Sequence, residues 1–119
     1  MSATPGSICH LEVFALDLYE SAKFYGDLFG WITRPHDAGY LFWEDSDGMT
    51  GGFTTAGSPV TNPAATFYIR TDDIPKMLAK VQKAGGVVIR EKTEINGENG
   101  FYALFRDPAG NNVGLFCKK

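Results

Sequence analysis

"HLEVFALDLYESAKFYGDLFGW", His10 to Trp31, reads as one strand running into one helix. From Ile8 to Leu16 apolar and polar residues alternate, which is the period of a half-buried strand. Leu11, Val13 and Ala15 fall on one face; His10, Glu12 and Phe14 fall on the other. Asp17 then stands where a helix N-cap belongs, with Glu20 three residues on, as in a capping box. Leu18, Ala22, Tyr25, Leu28 and Phe29 keep a helical stripe, and Gly30 stops it. Tyr40–Asp45 reads as a further strand, "SDGM" as a turn, and "TGGFTT" as a short segment after it.

The pattern then restarts. After a proline-containing connector, Ser58–Ala64, the run Ala65–Arg70 alternates as a strand. "TDDIPKMLAKVQKAGG" is a second helix, capped by Asp73 or a neighbour, with Pro75 in its tolerant first turn and Gly85 at its end. Ile74, Met77, Leu78, Val81 and Ala84 face its core. "VVIREKTEI" is a strand or two, Asn96–Gly100 a flexible loop, and "FYALFRDPAGNNVGLF" a hairpin turning at Asp107–Gly110. A displacement of 56 positions carries Asp17 onto Asp73 and Gly30 onto Gly86. A displacement of 62 carries Asp45 onto Asp107, Gly48 onto Gly110 and Gly52 onto Gly114. Each half is therefore strand, helix, then three strands. The period is long and occurs twice, so this is a duplicated module and not a solenoid.

Composition narrows the function. The chain has 119 residues, 44% apolar and 21% charged, the balance of one soluble domain. A net charge of −3 argues against a nucleic-acid partner, which favours a basic face. No apolar run approaches the roughly 20 residues of a membrane helix. "MSATPGS" has neither the basic nor the apolar region of a signal peptide. Cys9 and Cys117, far apart and outside any CxxC spacing, read as buried free thiols in a reducing cytosol, so the expected location is cytoplasmic.

The duplicated βαβββ pattern resembles the vicinal oxygen chelate superfamily, which includes glyoxalase I, bleomycin-resistance proteins and extradiol dioxygenases. His10–Trp31, "ATFYIRTDDIPKMLAKVQKAGG" and "INGENGFYALFRDPAGNNVGLF" carry the resemblance, the last as a glycine-rich loop, strand, DPxGN turn and final strand. The resemblance implies an α+β fold of two tandem βαβββ modules forming a curved mixed sheet around a cleft, with a helix outside each half. Module one spans about 7–56, the connector about 57–64 and module two about 65–117 of a single domain. It also implies a homodimer, the habit of many short members. The Asn96–Gly100 loop is expected to be a mobile flap beside the cleft.

Where members of that family are enzymes, a divalent metal (Zn, Ni, Fe or Mn) binds two vicinal oxygens and stabilises developing negative charge. The resemblance puts its ligands on the first and last strand of each module. His10, seven residues before the capping Asp17, matches. Thr66, seven before Asp73, does not, and nor do Gly52 and Gly114 at the last-strand positions. Glycine inside a strand costs about 0.5–1 kcal/mol relative to alanine and marks a bulge or a close approach. Gly114 stands where a family enzyme carries a carboxylate. One imidazole cannot hold a divalent cation, since catalytic sites supply about three protein ligands.

The expected ligand-binding residues are His10, Glu12, Phe14, Tyr68, Arg70 and Tyr102, with no cofactor and no metal. Tyr40, Phe42, Trp43, Tyr68, Tyr102 and Phe105 are candidates for an aromatic-lined pocket, although strand parity sends about half of such residues beneath the helices. Glu12 has two readings: an acceptor for a Tyr or Arg across the sheet, or, if desolvated, an acid or base. His36, after Pro35, reads as solvated in a polar loop. The leading functional expectation is a protein that binds a small organic molecule without a metal. The alternative is a metal-dependent lyase, isomerase or dioxygenase with a degenerate or relocated site, His10 a ligand and Glu12 a ligand or base. A third is a module used for interactions alone.

Overall fold

Turn and cap chemistry sets the frame of both halves. The computed structural model describes residues 4–59 and 65–119. In chain order the elements are β1 (Leu11–Phe14), α1 (Leu18–Phe29), β2 (Ile32–Asp37), β3 (Tyr40–Glu44), β4 (Thr50–Thr54), β5 (Tyr68–Arg70), α2 (Ile74–Lys83), β6 (Val87–Glu94), β7 (Phe101–Arg106) and β8 (Asn112–Cys117). Of the expected connector, residues 60–64 lie outside the described residues. The chain divides into two compact units, Met1–Ser58 and Pro59–Lys119. Each is a βαβββ module with its own four-stranded mixed sheet, ordered β1-β4-β3-β2 and β5-β8-β7-β6.

In the first unit Asp17 is extended, and its carboxylate accepts the N–H groups of Tyr19 and Glu20, satisfying donors that α1 cannot. Gly30 ends α1 at φ 75°, the left-handed conformation that glycine takes without strain. α1 covers one face of the sheet. Beneath it Tyr25, Trp31, Trp43 and Phe53 are buried, with the Trp31 and Trp43 rings stacked at 4.1 Å between centroids. The expected stripe is right at Leu18 and Tyr25 but incomplete. Ser21 and Phe24 are buried, while Ala22, Leu28 and Phe29 are only partly covered at the edge of that face.

In the second unit Asp73 accepts from Lys76 N–H at 3.0 Å, and Ile74, Leu78 and Val81 bury against Phe105, Val113 and Leu115. Ala84, expected in this core, is exposed, because it caps the end of α2 after the helical stripe has turned away. The residues Asn96–Gly100 form a turn closed by Ile95 N–H donating to the Gly100 carbonyl at 2.8 Å.

Three further expectations change. β1 and β5 are shorter than the alternating runs that contain them. His36 sits in edge strand β2 and not in a loop, although it is exposed as expected. Both cysteines are free, but Cys9 is exposed, since the chain before β1 is not covered; Cys117 is buried. Among the described residues no helix is long and apolar enough to cross a membrane.

Candidate functional site

The face of the first sheet opposite α1 is built by alternation. Glu12 on β1 lies beside Gly52 on the parallel strand β4, and Gly52 lies beside Phe42 on β3. A side chain at Gly52 would collide with the hydroxyl and ring of Tyr40. Glycine is therefore required by close approach, and Tyr40 lies across β4 to reach β1. Its hydroxyl donates to Glu12 Oε2 at 2.9 Å and stands 2.7 Å from His10 Nε2. His10 Nε2 and Glu12 Oε2 are 3.9 Å apart.

The single phenolic proton fixes the direction of this chain. Tyr40 spends it on Glu12, so the His10 contact must be Nε2–H donating to the phenol oxygen. Burial, then the hydrogen bond to Glu12 and its negative charge, push the Tyr40 hydroxyl up to about 12. Tyr40 is a neutral phenol across the physiological range. The arrangement is a short relay from imidazole through phenol to carboxylate, with His10 39% and Glu12 56% exposed at their side chains. Glu12 thus takes the first of its two readings, an acceptor for a tyrosine across the sheet, and it is not desolvated.

Beside the relay is a pocket of about 280 Å³ lined by His10, Ile32, Arg34, Phe42, Trp43, Glu44 and Thr50. The Arg34 guanidinium stands over the Phe42 ring at 5.4 Å, and His36 meets that ring edge-on at 5.0 Å. Phe14 is half-buried on the same face, beside Thr54.

The second sheet repeats the device with different residues. Tyr68 on β5 lies beside Gly114 on β8, and its ring occupies the space a side chain at Gly114 would need. Tyr102 meets Tyr68 edge-on at 6.5 Å. Arg70 is exposed and Thr66 half-buried, ahead of β5. Of the six expected residues the structure joins His10 to Glu12 through Tyr40, and joins Tyr68 to Tyr102. Trp43 and Phe105 are buried on the helix sides, as parity required of part of the aromatic set.

Tyr40, the hub of the first group, was expected only as a pocket aromatic. The repeat holds the signal: a displacement of 62 carries Tyr40 onto Tyr102, one of the expected ligand-binding residues. Ile32 and Arg34 carry no such signal, because β2 has no alternation to read and contains Pro35.

The metal that the resemblance implies needs about three protein donors. Tyrosine rings cover Gly52 and Gly114, and Thr66 offers no usual ligand. At His10 and Glu12 the gap is already bridged by a phenol that holds its proton up to about pH 12. Among the described residues no three His, Cys, Asp or Glu side chains come together as a set able to hold an ion. The donor set does not fit the family's metal.

Residues 7–115 match the family model described as Glyoxalase/Bleomycin resistance protein/Dioxygenase superfamily. A glyoxylase-like domain-containing protein of Didymella fabae is 28% identical, over 89% of each chain. Anthracycline biosynthesis protein DnrV of Streptomyces peucetius is 28% identical over 96% of this chain, which spans only 48% of that protein. Among solved structures, a glyoxalase/bleomycin resistance protein/dioxygenase family enzyme from Burkholderia phytofirmans superposes with a TM-score of 0.74 at 16% identity, covering 91% of this chain and 95% of the other. The fosfomycin resistance protein FosX of Listeria monocytogenes gives 0.76 at 11% identity, covering 95% and 93%. At these identities the structural likeness concerns the fold.

Proposed function

The chain belongs to the Glyoxalase/Bleomycin resistance protein/Dioxygenase superfamily, and we propose that it binds a small organic molecule without the metal that the family's enzymes use. The observation that carries this reading is the pair of tyrosine rings, Tyr40 over Gly52 and Tyr68 over Gly114, standing at last-strand ligand positions. Each exchanges a metal donor for an aromatic surface. His10, Glu12 and Arg34 supply polar contacts at the rim, and Phe42 a flat apolar wall. Relatives named for anthracycline biosynthesis and a fold neighbour named for fosfomycin resistance also concern small organic molecules. By the habit of the family the protein works as a homodimer, and its free thiols suit the cytoplasm.

A second reading, a lyase, isomerase or dioxygenase with a relocated metal, rests on the 3.9 Å separation of His10 Nε2 and Glu12 Oε2. A metal there must first displace the Tyr40 hydroxyl. Metal analysis of the purified protein, then titration with Ni, Zn, Fe(II) and Mn, separates the two. The proposal expects no stoichiometric metal, and thermal-shift hits from a small-organic library that survive EDTA. Tight metal binding lost in His10→Ala would install the second reading instead.

A further inference from the structure

The two sheets carry opposite charge on their equivalent faces. In the second unit the strand pairing puts Tyr68, Arg70, Tyr102, Arg106 and Phe116 on the face opposite α2, with Arg90 beside Leu104 on that same face. Three arginines therefore share one sheet face in a protein whose net charge is −3. None of the strand-paired positions on this face is acidic; Glu94 pairs with Phe101 on the other side, and Glu91 stands in the irregular stretch between Arg90 and Thr93. The corresponding face of the first unit holds Glu12 and Glu44 against Arg34. By position, Arg34 of the first unit is kept as Arg90, while the displacement of 62 sets Arg106 where Glu44 stands and the displacement of 56 sets Arg70 where Phe14 stands.

These arginines are not neutralised locally. Among the described residues neither Arg70 nor Arg90 has an ion pair, and both are exposed. Arg90 lies over the Tyr102 ring at 6.0 Å, while Arg106 is steadied by Nε–H donating to Asn112 Oδ1 at 3.2 Å. Between them are Tyr68, 51% exposed, and the partly exposed rings of Tyr102 and Phe116. A guanidinium presents a planar fork that matches a carboxylate, and aromatic faces take flat conjugated rings. We infer that the β5-β8-β7-β6 face binds a flat organic anion, its conjugated ring against Tyr68 and Tyr102 and its negative charge in the field of Arg70 and Arg90, which flank those rings from the two outer strands. This rests on the small-molecule reading above and adds the chemical class.

The test compares 2-naphthoate with its neutral isostere 2-naphthamide, by calorimetric titration of the full chain at low and moderate salt. Naphthoate is expected to bind at least about tenfold more tightly, an advantage that shrinks with salt as charge pairing requires. R70Q and R90Q, checked for native circular dichroism, should each bring the two probes towards equality. K76Q, which removes the same charge from exposed Lys76 on α2, should keep the preference. Equal binding of both probes to the unaltered protein would overturn the anion inference and leave small-molecule binding standing. So would a preference that survives R70Q and R90Q together. Binding of neither probe would also overturn it, and the library screen would then judge the broader reading alone.

Discussion

The ring of Tyr40 fills the space in which a side chain at Gly52 would begin, and its hydroxyl continues to Glu12 on the next strand. A methyl group at Gly52 forces the ring aside and breaks its bonds to Glu12 and His10. Gly52→Ala should therefore cost about 1–3 kcal/mol, the usual range for overpacking. In a Tyr40→Ala background the same change should cost far less. Denaturant unfolding of the four variants gives the coupling; additive costs would mean the ring does not govern Gly52.

The same phenol gives a spectroscopic prediction. With Tyr40 pushed up to about 12 from an ordinary 10.0, this residue should ionise well after a normal phenol in an ultraviolet pH titration, a late step that Tyr40→Phe removes. Glu12→Gln should bring it down, since the carboxylate supplies both hydrogen bond and charge. The sign for stability follows. The native state favours the protonated phenol, so this contribution is whole below pH 10 and is lost as pH rises towards 12.

His10 should be the Nε2–H tautomer when neutral, because Tyr40 has no second proton to give. Long-range nitrogen–proton correlation spectra distinguish the two ring nitrogens. A pyridine-type Nε2 would mean that Tyr40 donates to His10 and that the relay runs the other way.

The paired turns make an internal comparison. Asp107, 3% exposed, accepts from Ala109 N–H, Asn111 N–H and the Asn111 side-chain amide. Asp45, at the equivalent turn, accepts from Asp47 and Met49 N–H and is less buried. Removing a buried charged acceptor strands its donors, so Asp107→Ala should cost about 3 kcal/mol and Asp45→Ala about 1 kcal/mol. Equal losses in thermal unfolding would show that burial is not what separates them.

Features set by local chemistry were legible in the sequence. Asp17 and Asp73 cap, Gly30 stops a helix, and Asp45 and Asp107 turn the chain, all through bonds spanning a few residues. β2 was not, because "ITRPHD" is an edge strand, almost wholly exposed, with no buried face to impose alternation. Gly114 was recognisable as an anomaly, but what fills its space depends on strand register, which the sequence does not print. The Tyr40 relay is harder still, since it joins β1 to β3 across β4 and needs both neighbours of β4 in place. Cys9 is exposed and not buried as its residue type suggests, because composition says nothing about where the covered chain begins.

In each unit the last strand made is an inner one: β4 joins β1 to β3, and β8 joins β5 to β7. During synthesis β1 leaves the ribosome with no partner and waits through α1, β2 and β3 until Gly51 and Phe53 arrive opposite Leu11 and Val13. Once residue 54 is out, every partner of the first sheet has been made, and none is owed by the second half. The topology thus lets each sheet close only once its late inner strand is made, and until then β1, and later β5, has no strand partner.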